Sequence, residues 1–146
     1  MPAKDTQQLE NELSDADDLK IFLAENAENF RKFTLAEYLH HLLDEKNLVK
    51  AQIIRDSQVD EGYAQHIFGG RKNPSRDKVL ALALAMKLSP KETDYLLYYA
   101  GQSKLYARNE RDNIIAFALE RGKTVLQANE LLVDLKFEPL KLTEKV

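Results

Sequence analysis

The chain has 146 residues, the size of one ordinary domain or of a small domain with extensions. Hydrophobic residues make up 44% and charged residues 31%, so there is material for a core and for a solvated surface. Only 5 Gly and 4 Pro argue against a turn-rich all-β fold, and the absence of Cys excludes disulfides and thiolate zinc sites.

The net charge is −3, unevenly spread. Residues 1–45 hold 4 Lys/Arg against 11 Asp/Glu, residues 46–80 hold 7 against 4, and residues 81–146 hold 10 against 9. The acid therefore lies at the front, and the most basic segment is 46–80, where local positive charge permits phosphate binding despite the acidic total. The N-terminus MPAKDTQQLENEL has no apolar leader core, and no apolar run reaches the roughly 18 residues of a membrane span. A soluble cytoplasmic protein with no membrane association is expected.

Residues 1–13 are polar and predicted to fray. Ser14 with Asp17 resembles a helix start, and Leu19, Phe22 and Leu23 follow at i, i+3, i+4, giving a helix over about 15–26. Its other positions are strongly acidic. They read either as a solvated outer face or as a segment that folds over the basic stretch and competes with its ligand.

Thr34 with Glu37 caps a helix over 35–46, whose apolar face is Leu35, Tyr38, Leu39, Leu42 and Leu43, with Asn47 as its stop. A second helix runs from about Lys50 to Ser57, with Ile53 and Ile54 inward. Ser57-Gln58-Val59 forms a turn in which Val59 plugs the gap between crossing helices. A third helix follows to Phe68, with Asp60 as N-cap and Ala64, Ile67 and Phe68 inward. Glu61, Gly62, Gln65 and His66 are left outside. Gly69-Gly70-Arg71-Lys72-Asn73-Pro74-Ser75 then ends that helix and caps the next.

Residues 76–86 (RDKVLALALAM) are apolar around most of the helix and should be the buried centre. Ser89-Pro90-Lys91-Glu92 combines a Ser cap, Pro at the first helical position and Glu three residues after the Ser, so another helix starts there and ends at Gly101. A helix from near Asn109 to Gly122 carries Ile114, Ile115, Phe117, Ala118 and Leu119. Thr124 with Gln127 caps a last one, with Ala128, Leu131, Leu132 and Leu135. Pro139 is expected to close the ordered part, with 141–146 frayed.

A shift of 35 residues lays 75–105 over 110–140 with 8 identities in 31 positions, among them Arg76-Asp77 on Arg111-Asp112 and Leu96-Leu97 on Leu131-Leu132. Two readings stand: a pair of generic amphipathic hairpins, or a duplicated αα-hairpin that extends the core or presents a partner surface.

Chemistry points to the stretch Leu48–Arg76. Two short helices, a tight turn and a glycine-rich basic loop make the layout of a helix-turn-helix, which sets its second helix in the DNA major groove. Candidate base contacts are Glu61, Gly62, Gln65 and His66. Candidate phosphate contacts are Lys50, Arg71, Lys72 and Asn73, which position without reading sequence. His40 and His41 are adjacent and diverge by about 100° on a helix, so they make no i, i+4 metal pair and are expected at the surface. The loop lacks the Gly-x-x-x-x-Gly-Lys-Ser/Thr order of a P-loop. Tyr95, Tyr98 and Tyr99 at helical spacing are expected at the core edge or a partner surface. No enzyme, cofactor or metal is expected.

The segment from about Leu35 to Ala100 resembles the lambda-repressor-like, or XRE, helix-turn-helix regulators. The likeness lies in LVKAQIIRDSQV, in DEGYAQHIF, in the loop GGRKNPSR, and in VLALALAMKLSPKE. It implies a compact five-helix domain that binds operator DNA as a homodimer. By position it places Lys50 and Arg71 at backbone contacts and Glu61, Gly62 and His66 at base contacts. The expected architecture is all-α: an acidic extension over 1–33, a helix-turn-helix domain over 34–101, and a helical hairpin over 102–146. The expected function is transcriptional regulation on double-stranded DNA, of repressor type. The alternative is a protein-interaction module on the same scaffold, with a protein partner held through the C-terminal helices.

Overall fold

Helix boundaries in this chain follow from capping chemistry. A computed structural model describes residues 6–15 and 33–143, and every regular element among them is a helix. The chain divides into two units, Met1–Phe33 and Thr34–Val146.

In the first unit, α1 spans Thr6–Asp15, where the polar sequence is expected to fray. Gln7 Nε2 donates to Asn11 Oδ1 at 3.2 Å, an i, i+4 pair on the helix surface. The acidic helix expected over 15–26 lies outside the described residues.

The second unit begins with α2 (Leu35–Glu45), α3 (Lys50–Ser57) and α4 (Glu61–Phe68). Thr34 and Glu37 cap α2 reciprocally at 3.1 and 2.9 Å, and Asn47 at φ 53° closes it. Val49 stands before α3 with no side-chain cap and is 67% exposed. Gln58 at φ 62° ends α3. Ser57 Oγ donates to Ile54 O at 2.7 Å and accepts from Val59 N at 3.2 Å, so one buried hydroxyl ties the end of α3 to the turn. Val59 is buried in that turn, and Asp60 caps α4 through Tyr63 N at 3.0 Å.

Next come α5 (Arg76–Ala85), α6 (Pro90–Tyr99), α7 (Glu110–Glu120) and α8 (Val125–Asp134). From Lys78 to Ala85 every residue of α5 is buried, because α3, α6, α7 and α8 all pack against it. Burying a Leu such as Leu80 or Leu82 stabilises the fold by about 1.5–3 kcal/mol. Helices α2 and α4 pack together, and α2 also meets α6, where Tyr38 stacks on Tyr99 at 4.4 Å. Tyr98 points out, 64% exposed.

The 35-residue echo is a structural duplication. Capping boxes at Ser89/Glu92 and Thr124/Gln127 open α6 and α8. The left-handed residues recur at the same offset: Lys87 and Gly122 after the first helix of each hairpin, Gly101 and Lys136 after the second. The two copies grip each other reciprocally. Arg76 donates through both terminal nitrogens to Asp112 at 2.8 Å, while its Nε and Nη2 reach Ser103 O and Lys104 O at 3.0 Å. Arg111 does the same to Asp77 at 3.1 and 3.2 Å, and to Glu138 O and Pro139 O at 3.0 and 3.2 Å. Tyr106 N donates to Asp112, and Lys141 N to Asp77, each at 2.9 Å. Each arginine thus holds its own hairpin's trailing strand of chain and the other hairpin's aspartate.

This grip corrects the expectation that order ends at Pro139. Leu140 is buried, its N–H donates to Asn129 Oδ1 at 2.8 Å, and Lys141 is held by Asp77.

Candidate nucleic-acid interface

The helical period sorts α4 into two faces. Ala64, Ile67 and Phe68 are buried, while Glu61, Gly62, Gln65 and His66 are all exposed. A Cβ on Gly62 would meet only Asp60 Oδ2, at 3.4 Å, so the backbone there does not require glycine. The missing side chain leaves a gap in the exposed face between Glu61 and Gln65.

The far end of α4 is fixed by groups from other elements. His40 on α2 donates from Nε2 to Phe68 O at 3.1 Å, and its ring meets Phe68 edge-on at 5.8 Å. His40 lies at the surface as expected, and it also ties α2 to the last turn of α4. His41 is half-buried, with Nε2 at 2.9 Å from Glu45.

Gly70, at φ 79°, turns the chain out of α4. Gly70 N bonds Ile67 O at 3.1 Å and Arg71 N bonds His66 O at 2.8 Å, so the basic loop leaves directly from the exposed face. Arg71 folds back beside Gly69: a Cβ there would lie 3.5 Å from Arg71 Nε. Arg71, Lys72 and Asn73 are exposed and Pro74 is buried. The far end of the loop is anchored twice. Tyr63 Oη donates to Asn73 O at 3.4 Å, and Gln102 Nε2 to Pro74 O at 3.3 Å. Beneath them Lys78, 4% exposed, sets its ammonium 3.7 Å from the centre of the Tyr63 ring.

Lys50 is half-buried at the first position of α3, beside the uncapped Val49. It lies on a different helix from the other candidates. The structure thus gathers Glu61, Gly62, Gln65, His66, Arg71, Lys72 and Asn73 on one helix and its trailing loop, and places Lys50 at the head of α3.

Sequence reasoning missed His40, Tyr63 and Lys78, which position these groups. Tyr63 lies one residue off the buried Ala64 and Lys78 one off the buried Val79, so each sits at the edge of an apolar stripe, the one signal that could have drawn notice. Among the described residues no group of three His, Cys, Asp or Glu side chains is placed to hold a metal, and no helix is long and apolar enough to cross a membrane. Comparison with known proteins found no family model, no curated protein and no solved structure that matches the chain.

Proposed function

We propose that the protein is a sequence-specific DNA-binding regulator of the helix-turn-helix type that reads the major groove with α4. The observation that carries this reading is the arrangement of α4. One face is buried, the other offers Glu61, Gln65 and His66 to solvent, and the exposed Arg71-Lys72-Asn73 follows within one turn. Gln pairs with adenine, a carboxylate accepts from cytosine N4, and His donates to guanine, so the exposed set matches base-edge chemistry. Arg71, Lys72 and Asn73 supply phosphate contacts beside it, and Lys50 does so from the start of α3, where Val49 leaves the first backbone N–H groups without a side-chain cap. Occupancy of an operator is the mechanism, and repression its simplest outcome.

The experiment is selection of bound sequences from a random duplex pool with the full chain. Enrichment of one motif supports the reading. Recovery of no preferred sequence, with no retention of duplex at low salt, sinks it.

A protein-interaction module is the second reading. It is favoured by Tyr98, Tyr106, Val133 and Leu135, apolar side chains more than half exposed on the C-terminal half. A module of that kind would retain a protein ligand while showing no salt-dependent duplex binding.

A further inference from the structure

The duplication lets one copy report on what the other lacks. Val79 and Leu82 in α5 and Met86 at its C-cap are each 0–1% exposed. Their counterparts at the same 35-residue offset are Ile114 and Phe117 on α7 and Arg121 at its C-cap. Ile114 is half-buried, Phe117 is 41% exposed and the Arg121 side chain is 53% exposed. The face that α5 buries is therefore open on α7. With Glu110, also exposed, these residues fall at i, i+4, i+7 and i+11, one straight stripe along the helix.

The order along that stripe is acid, apolar, apolar, base. We propose that the stripe is the contact between two copies of this chain, with α7 packed antiparallel on the α7 of a second molecule about a two-fold axis. Charge complementarity selects this occupant and this direction. Antiparallel pairing centred between Ile114 and Phe117 sets each Glu110 against the other chain's Arg121 and each Ile114 against the other chain's Phe117. Parallel pairing would put Glu110 on Glu110 and Arg121 on Arg121. Arg121 already lies with its guanidinium carbon 3.7 Å over the Phe117 ring centre and its Nη1 3.9 Å from Glu120 Oε2, so pairing with Glu110 of a second copy exchanges an exposed, long contact for an intermolecular one. One helix stripe buries less than the roughly 1,200 Å² of a standard stable interface, so the dimer is weak and concentration-dependent.

This contact stands apart from the DNA reading of α4, and its test contains no DNA. Sedimentation equilibrium of the full chain over a wide concentration range should show mass rising from 16.8 kDa toward twice that value. Phe117→Glu, at an exposed site, should weaken the association by at least about ten-fold. Glu110→Arg and Arg121→Glu should each weaken it by about ten-fold, and the two together should return it to within about three-fold of the original, because each restores the other's partner across the axis. A monomer at every concentration overturns the proposal. So does a dimer that Phe117→Glu leaves unchanged, or a charge swap that gives no rescue.

Discussion

Arg76 holds Asp112 with two parallel hydrogen bonds of 2.8 Å, across 36 residues of sequence and between two copies of one hairpin. Its counterpart pair, Arg111 and Asp77, has the same fork at 3.1 and 3.2 Å. The aspartates differ in burial: the Asp112 side chain is 7% exposed and that of Asp77 is 20% exposed. Shorter bonds and deeper burial make the first pair the stronger one. Asp112→Asn should cost about 2–3 kcal/mol, since it weakens charge-assisted bonds and leaves a half-buried guanidinium without its counter-charge. Asp77→Asn should cost about 1 kcal/mol. Urea unfolding of the two variants checks the order, and equal losses would mean that the copies share the load evenly.

Acid should act on the same clamp. Burial by itself raises the Asp112 pKa, but the hydrogen bonds and charge of Arg76 and the N–H of Tyr106 outweigh it and hold the carboxyl below its ordinary value of 3.8. Glu92 in the α6 capping box behaves alike. Burial raises it, and Lys46 at 2.7 Å with the N–H of Ser89 brings it below 4.5. Both folded values lie below the unfolded ones, so the unfolded chain binds more protons as pH falls. The contribution is therefore complete above the ordinary carboxylate values and is lost as pH drops through the depressed folded ones. Unfolding free energy measured from pH 6 to 3 should decline over the acid end, and Asp112→Asn should decline less steeply than the original chain.

These two pairs also show what could be read from the sequence. Helix starts were legible because a cap is local: Thr34 with Glu37, Ser89 with Glu92 and Thr124 with Gln127 each complete their hydrogen bonds within four residues. The open face of α4 was legible because Ala64, Ile67 and Phe68 keep the helical period. The clamp was not legible. Alignment of Arg76-Asp77 with Arg111-Asp112 shows equivalent positions, yet each arginine bonds the other copy's aspartate, and sequence equivalence carries no record of who crosses over. The tie that His40 makes was not legible for a similar reason, its partner being a carbonyl 28 residues away. Residues 6–13 depart from the expectation of fraying, which equated polar composition with lack of structure, since α1 forms from Thr6.

The proposed reading face makes a separable prediction for its two kinds of contact. Arg71→Ala and Lys72→Ala should weaken duplex binding evenly across sequences, each lowering the slope of log affinity against log salt by about 1. Gln65→Ala and His66→Ala should leave the slope unchanged and relax preference at one base pair, by about 1–3 kcal/mol. Glu61→Gln should strengthen binding to non-cognate duplex, because it removes a carboxylate from the phosphate surface while keeping an acceptor. Anisotropy titrations at several salt concentrations, on the selected duplex and on a scrambled one, distinguish the three behaviours. An unchanged slope for both Arg71 and Lys72 variants would remove the loop from the interface.

The duplication finally predicts a stabilising substitution. Gly101 at φ 71° ends α6, and at the equivalent position Lys136, also at φ 71°, ends α8. A left-handed conformation costs a residue with a Cβ about 1–2 kcal/mol, partly offset by the greater freedom glycine loses on folding. Lys136 is exposed, and its backbone N–H makes the 3.0 Å bond to Val133 O whatever its side chain. Lys136→Gly should therefore stabilise the protein by about 0.5–1 kcal/mol and raise the melting temperature by about 2–4 °C. The other lysine of this kind, Lys87 at φ 58°, differs because its ammonium donates to Gly122 O at 2.8 Å, across to the equivalent turn of the second hairpin. Lys87→Gly relieves the same strain but loses that bond, so its net effect should be close to zero. Thermal melts of the two variants side by side test the comparison, and a gain at Lys87 equal to that at Lys136 would show that the cross-hairpin bond adds nothing to stability.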